Sequence, residues 1–300
     1  MENIEDIIRT FVEQEPHLCH ASCLLKQLTN TQQNSKDKDK VILKSIANQY
    51  VHYIRCNNAL IGYTADIVAA RVSALNEYYD FLHNNNYENV YNPQTKLRPT
   101  ILEEFLFLLF RDLVHEYQSK YNVAGTLDSG SAKSYTNLYF KAKDFDKFIV
   151  SPEVATNVKD QDFAIFRYFK IGIDNQTPQK VAVPAIAVEA KTFIDKTMLD
   201  SIIATAEKIK NGNPYARFVA VAEKYDVGSD VDPAYSRIDQ IYILRKCSRR
   251  DDWSPIDQDV VLRFFNETKE HIERPWSDVQ NRMKESGRSE EHTSELQSQR

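Results

Sequence analysis

Apolar residues recur three and four apart between Lys40 and Leu82: Val41, Ile42, Ile46, Tyr50, Ile54, Leu60, Ile61, Ile67, Val68, Val72, Leu75 and Tyr79. That spacing is one face of a 3.6-residue repeat, so residues 1 to about 90 are expected to be helical. Lys36-Asp-Lys-Asp-Lys40 reads as a solvated connector between two helical stretches, and Asn84-Asn-Asn86 as the end of the region. Asn92 to Pro99 reads as a short linker. Thr100-Ile-Leu-Glu103 then has the spacing of a capping box, in which the hydroxyl and the carboxylate each satisfy an unpaired backbone amide. The helix that follows, running to about Tyr121, carries Phe105-Leu-Phe-Leu-Leu-Phe110. It is apolar on nearly all sides and should be buried.

The pattern changes at Gly125. Gly125 to Gly130 reads as a loop, and Ser131 to Phe140 is polar and aromatic by turns. Apolar runs of strand length follow at Phe163–Phe166, Val181–Val188, Phe218–Val221 and Ile241–Leu244. Between the second and third run, Lys196 to Lys210 places Met198, Leu199, Ile202, Ile203, Ala206 and Ile209 at helical spacing. A last amphipathic helix is expected at about Asp257 to Ile272. Helix, strands, helix, strand, strand, helix is the order of an α/β fold, a mixed central sheet flanked by helices.

Composition narrows the function classes. With 7 glycines in 300 residues and no phosphate-binding glycine motif, a glycine-cradled nucleotide site is not expected. No apolar run reaches the length of a membrane span. The acidic start, Met1-Glu-Asn-Ile-Glu-Asp6, lacks the basic-then-apolar order of a signal peptide, so a cytoplasmic, bacterial location is expected. Of the four cysteines, Cys19 and Cys23 sit near His17 and His20. They lack a second pair downstream, so a helix packing on its neighbour is expected there rather than zinc. The formal net charge of −5 argues against coating DNA non-specifically but leaves room for a local basic cleft. Residues 288–300 read as the in-frame translation of a sequencing-library adapter, a non-native tail replacing the true C-terminus.

Chemistry concentrates at Glu189-Ala-Lys191, which closes an apolar strand. Residues two apart on a strand share a face. Asp162 opens the preceding strand. A hairpin centred on Asn175 and Gln176, within the turn-rich Asp174–Gln179, would set Asp162 opposite Glu189. Two carboxylates and a lysine would then meet at one sheet edge. Mg²⁺ takes oxygen ligands and keeps waters, so the carboxylates could hold it while the lysine orients a water and stabilises phosphoryl charge. A second Glu-x-Lys triplet, Glu267-Thr-Lys269, lies in a helical pattern without an acidic partner. The triplet alone is therefore weak, and a surface ion pair at a strand end is the rival reading.

Asp162, the apolar-flanked Glu189-Ala-Lys191, and the helix and strand after them resemble the PD-(D/E)XK nuclease core. Lys159–Ile165, Val188–Leu199 and Ile209–Pro214 more narrowly resemble the BbvCI-like heterodimeric type II restriction endonucleases. The resemblance spans residues 98–275 as a nuclease core domain, with 1–92 as a helical region. It implies Asp162, Glu189 and the Ala190 carbonyl as Mg²⁺ ligands and Lys191 as the catalytic lysine. Gln161, not proline, precedes Asp162, and Asp160 is a rival first carboxylate. Glu104, on the helix before the sheet, becomes an accessory candidate; pairing with Arg111 or Lys96 is its other reading.

The resemblance further implies double-stranded DNA cut at an asymmetric site, one strand per subunit, with a second homologous subunit and a cognate methyltransferase as partners. An idle DNA-binding subunit and a repair or defence nuclease are the alternatives. Lys133, Ser134, Tyr135 and Asn137, read as one loop, and a basic cluster of Arg245, Lys246, Arg249 and Arg250 offer donors for DNA.

Overall fold

A computed structural model describes residues 3–34, 37–87, 97–172, 177–228, 234, 236–247, 253–274, 276 and 283–284. The adapter-like tail, Arg249, Arg250, Lys96 and the turn centre at Asn175 and Gln176 lie outside the described residues, as does most of the Asn92–Pro99 linker.

The N-terminal region is helical as its periodicity requires: α1 (Ile4–Gln14), α2 (Cys19–Asn34), α3 (Asp37–Ala59) and α4 (Ala65–Asn84). The expected connector at Lys36–Lys40 is largely helix instead, because α3 begins at Asp37. Aspartate is favoured in the first turn of a helix by the helix dipole, and lysine is a good helix former, so this composition does not forbid a helix start. Thr64 caps α4, accepting from the Ile67 amide.

Helix α5 (Pro99–Lys120) buries the whole Phe105–Phe110 run. Its expected capping box does not form. Pro99 occupies the first turn, where a missing N–H is tolerated, and Arg98 takes the cap position but makes no side-chain capping bond, its guanidinium going to Glu223 instead. Thr100 is thereby already inside the helix. Its hydroxyl donates to the Leu97 carbonyl and meets His20 Nδ1 at 2.9 Å.

The remaining elements are β1 (Leu127–Lys141), α6 (Phe145–Val150), β2 (Glu153–Ile171), β3 (Gln179–Ile194), α7 (Lys196–Gly212), β4 (Arg217–Tyr225), β5 (Gln240–Ile243) and α8 (Gln258–Glu273). They build one five-stranded sheet in the order β1-β2-β3-β4-β5. β1, β2 and β3 are antiparallel neighbours, and β3, β4 and β5 are parallel. The residues read as a donor-bearing loop, Lys133 to Asn137, are therefore part of a strand. Their polar and aromatic alternation is that of a half-exposed strand.

One sheet face, with Phe163, Ile165, Val188, Ala190, Val219 and Val221, joins a single apolar core with α5, α8 and the four N-terminal helices. The other face, with Ala187, Phe218, Ala220 and Ala222, packs under α7 through Leu199, Ile202 and Ile209. Packing is thus continuous from the N-terminal helices to the sheet. No helix among the described residues is long and apolar enough to cross a membrane.

Candidate active site

Strand alternation decides what faces what on β3. Val188 and Ala190 belong to the core beneath α5, so Glu189 and Lys191 point to the opposite face. Their register partners on β4 are alanines, Ala220 and Ala222, so no large β4 side chain crowds them.

Two irregularities bring Asp162 to the same place. On the β1 side, Gly130 pairs with Ala164 but Ala132 pairs with Gln161, which leaves Asp162 and Phe163 facing Ser131 alone. Such a bulge redirects a side chain and tightens strand twist. On the β3 side, Phe163 pairs with Val188 and Ile165 with Ile186, but Phe166 then pairs with Pro184. Ala185 is skipped, next to a proline that has no N–H for the ladder. The register at the site end therefore sets Asp162 next to Glu189.

The resulting contacts are short. Lys191 Nζ donates to Asp162 Oδ2 and to Glu189 Oε2, each at 2.8 Å. The Ala190 amide donates to the same Asp162 oxygen at 2.9 Å. Glu189 is 8% exposed, and burial pushes its carboxyl above the usual range. Lys191, Asp162 and Lys159 modulate that shift, with Lys191 and Lys159 favouring the charged form. Burial opposes the Lys191 ammonium, but the Asp162 and Glu189 carboxylates outweigh it and raise its pKa. Lys191 is therefore a stable cation at neutral pH.

Asp160, the rival carboxylate, is exposed and pairs in register with Lys133. Lys159 was not singled out from the sequence as a site residue. Its signal was a basic residue three before Asp162 on the same strand.

Glu104 is fully buried, and its bonds run to a different element. Its Oε2 accepts from the His20 amide at 2.8 Å and the Ala21 amide at 3.0 Å, closing the N-terminus of α2. Burial raises its pKa to about 7, against the pull of the Ala21 and His20 amides and the Tyr50 hydroxyl. It sits on α5, beneath the sheet face opposite to Glu189 and Lys191.

Strand alternation also divides the expected DNA contacts. Lys133 and Asn137 are exposed and Tyr135 is half-buried, but Ser134 is fully buried and faces inward. Arg245 is not available either. It is buried beside Glu223, with Nε donating to Glu223 Oε2 at 2.8 Å, and its guanidinium stacks on Tyr79 and Trp253. Lys246 is exposed and pairs with Asp257. The second triplet lies on α8, where Glu267 is taken up by Arg217 and Tyr242. Its helical setting, as its apolar spacing predicts, sets it apart from Glu189-Ala-Lys191.

Against known families, residues 94–252 match the model described as Bpu10I restriction endonuclease. The chain belongs to the Bpu10I restriction endonuclease family. No curated protein matches it. Among solved structures, one described as the native BbvCI A2B2 tetramer at low resolution is similar at a TM-score of 0.66 and 20% identity. The similarity covers 87% of this chain and 98% of that one. Membership in the Bpu10I family makes this chain a restriction endonuclease, and its fold is that of a PD-(D/E)XK-like α/β protein. The segment matched to the Bpu10I family holds Asp162, Glu189 and Lys191 and leaves α1 to α4 outside.

The donor set suits a hard divalent cation. Asp162 and Glu189 supply carboxylate oxygens that already converge on one positive centre, the Lys191 ammonium. Mg²⁺ needs few protein oxygens because it keeps its waters. Among the described residues, no group of three or more His, Cys, Asp or Glu side chains could hold a metal ion.

Proposed function

We propose that this chain is one subunit of a heterodimeric type II restriction endonuclease that hydrolyses one strand of an asymmetric double-stranded DNA site with Mg²⁺. The observation that carries the reading is the Lys191 ammonium lying 2.8 Å from both Asp162 and Glu189. Asp162, Glu189 and the Ala190 carbonyl are the residues that would hold the ion. When bound, it polarises a phosphoryl oxygen and acidifies a water.

The chain's own residues do the positioning. An ammonium has three donors; Asp162 and Glu189 take two, and the third is the one a scissile phosphate oxygen would receive. Because its pKa is raised, Lys191 acts as a charged donor rather than as a general base. The Ala190 amide fixes the rotamer of Asp162, so the two carboxylates are placed before substrate arrives. Lys133, Tyr135 and Asn137 on β1 are the DNA contacts we assign, the first to a phosphate. One such centre per chain cuts one strand, so a second homologous subunit must cut the other, and a cognate methyltransferase must protect the host site.

The test is co-expression with that homologous subunit and digestion of a supercoiled plasmid carrying the site. The intact pair yields linear DNA. The pair with Glu189→Ala in this chain is expected to yield only nicked circles, and linear product from that pair would overturn the proposal. Calorimetric titration with Ca²⁺ should show binding that Glu189→Ala abolishes.

A further inference from the structure

The turn between α1 and α2 reaches the strand pair that shapes the active site. His17 stands in that turn, outside the segment matched to the Bpu10I family. Its ring packs on Phe107 of α5, with centroids 5.3 Å apart, and its Nε2 meets Oδ1 of Asp128 on β1 at 3.3 Å. The same Asp128 oxygen accepts from the Ser129 amide at 2.8 Å. Two residues on, the backbone of Gly130 passes against the ring: a Cβ there would lie 2.5 Å from His17 Nδ1. Gly130 also has a φ of +134°, a conformation that favours glycine. The turn itself is held from α5. Glu104 takes the His20 and Ala21 amides, and Glu104 and Phe107 are neighbours three apart on that helix. One helix thus fixes both the start of α2 and the ring of His17.

Gly130 is the last regular pair before the bulge. It faces Ala164, whereas Ala132 faces Gln161, so Asp162 and Phe163 share Ser131. The path of the backbone at Gly130 therefore governs where Asp162 stands against the Ala190 amide and the Lys191 ammonium.

We propose that His17 is a positioning residue for DNA cleavage. It packs against Gly130 and ties Asp128, and so holds the β1–β2 bulge in the form that delivers Asp162 to Glu189 and Lys191. The inference rests on the nuclease reading and extends it: the N-terminal helical region supports the cleavage site from outside the family segment. A displacement of about 1 Å at a reacting group can cost on the order of 10²-fold in rate. Loss of a residue that orients a metal ligand costs roughly 10–100-fold in affinity or activity.

The test is a double-mutant cycle in the full chain paired with its homologous subunit. His17→Ala is expected to slow single-turnover cutting of this chain's strand, at saturating DNA, by about tenfold or more. It should weaken calorimetric Ca²⁺ binding by a similar factor and leave the DNA dissociation constant unchanged. Because His17 acts through Asp162, His17→Ala should slow the Asp162→Asn variant by less than about twofold. His52→Ala removes a histidine–carboxylate contact of the same 3.3 Å length, to Glu77, between α3 and α4; it should change none of the three readouts. Far-ultraviolet circular dichroism shows whether each variant is folded. If His17→Ala is not, Asp128→Asn decides, since it keeps the ring and weakens only its tether; the same pattern with a smaller loss is expected. Unchanged rate and Ca²⁺ affinity, a loss confined to DNA affinity, or a full loss on top of Asp162→Asn would each overturn the inference and leave the nuclease reading intact. A wild-type pair that does not cleave would overturn both.

Discussion

The Ala190 amide donates to Oδ2 of Asp162 at 2.9 Å, so the first carboxylate of the site is tied to the backbone between Glu189 and Lys191. The same oxygen accepts from Lys191 Nζ at 2.8 Å. Asp162 is thus positioned by the strand that bears its two partners. Asp160 has no such tie, since it is exposed and opposite Lys133. Asp162→Asn is therefore expected to lower plasmid cleavage by roughly a hundredfold or more, the cost of losing a charge aimed at the reacting group. Asp160→Asn should stay within a few-fold of wild type. Equal losses at both positions, in single-turnover rates at saturating Mg²⁺, would count against the assignment.

Lys191→Met keeps most of the length of the side chain and removes its charge. Two close carboxylates then lose the cation that both contact. Without it, Glu189, already raised by burial, should rise further. The variant is expected to lose cleavage by roughly 10²–10³-fold and to shift the onset of Ca²⁺ binding to higher pH. Calorimetric titrations at several pH values would show it.

Glu104 makes a separate prediction, about stability. Its folded pKa is about 7, above the 4.5 of an unperturbed glutamate, chiefly because it is buried. A group raised on folding contributes stability that is fully present below pH 4.5 and lost as pH rises through 7. Glu104→Gln has no such proton to lose. Its stability relative to wild type should therefore increase by about 3 kcal/mol between pH 4.5 and pH 8, read from urea midpoints at the two ends. His20, held near a pKa of 3 by burial, runs the opposite way in both proteins and cancels in the comparison.

Glu223 should matter for folding rather than for cleavage chemistry. It is buried, bonded by Arg98 at 2.6 and 2.8 Å, by Arg245 at 2.8 Å and by the Tyr79 hydroxyl at 3.0 Å. Burial opposes its ionisation, but Arg98 and Arg245 prevail and hold its carboxyl below the usual range. Glu223→Ala leaves the buried Arg245 without its counter-charge and is expected to cost about 3–5 kcal/mol, measured by chemical denaturation.

Lys133 is exposed on β1 and is assigned a phosphate. Lys133→Ala should weaken DNA binding about equally on specific and unrelated sequences. It should also reduce the slope of log affinity against log salt by about one. A change confined to the cognate site would point to a base contact instead.

Hydrophobic periodicity made most elements legible. Phe105–Phe110, Phe163–Phe166 and Val181–Val188 became buried helix or strand because apolar spacing records burial, and burial drives the fold. The donor-rich stretch from Lys133 to Asn137 has the composition of a loop but is strand. Half its residues face solvent, and polar exposure looks alike on a strand and on a turn. Thr100 has the spacing of a cap but lies inside the helix because Pro99 moves the helix start, a backbone effect that a four-residue motif does not encode.

The sequence by itself determined the chemistry available: two carboxylates and one lysine on consecutive strands, and a hairpin spacing that puts them in reach; the structure sets them inside β2 and β3, which extend back to Glu153 and on to Ile194, rather than at strand ends. Tertiary structure alone decided which polar residues were left for chemistry. Arg245 and Ser134 are spent inside the fold, and Glu104 is bound to the start of α2. The bulge at Asp162 and the skipped Ala185 set the final register. The reason is that composition and period report a residue's type and face. Which partner satisfies a buried charge depends on elements more than eighty residues apart meeting in space, as His20 and Glu104 do.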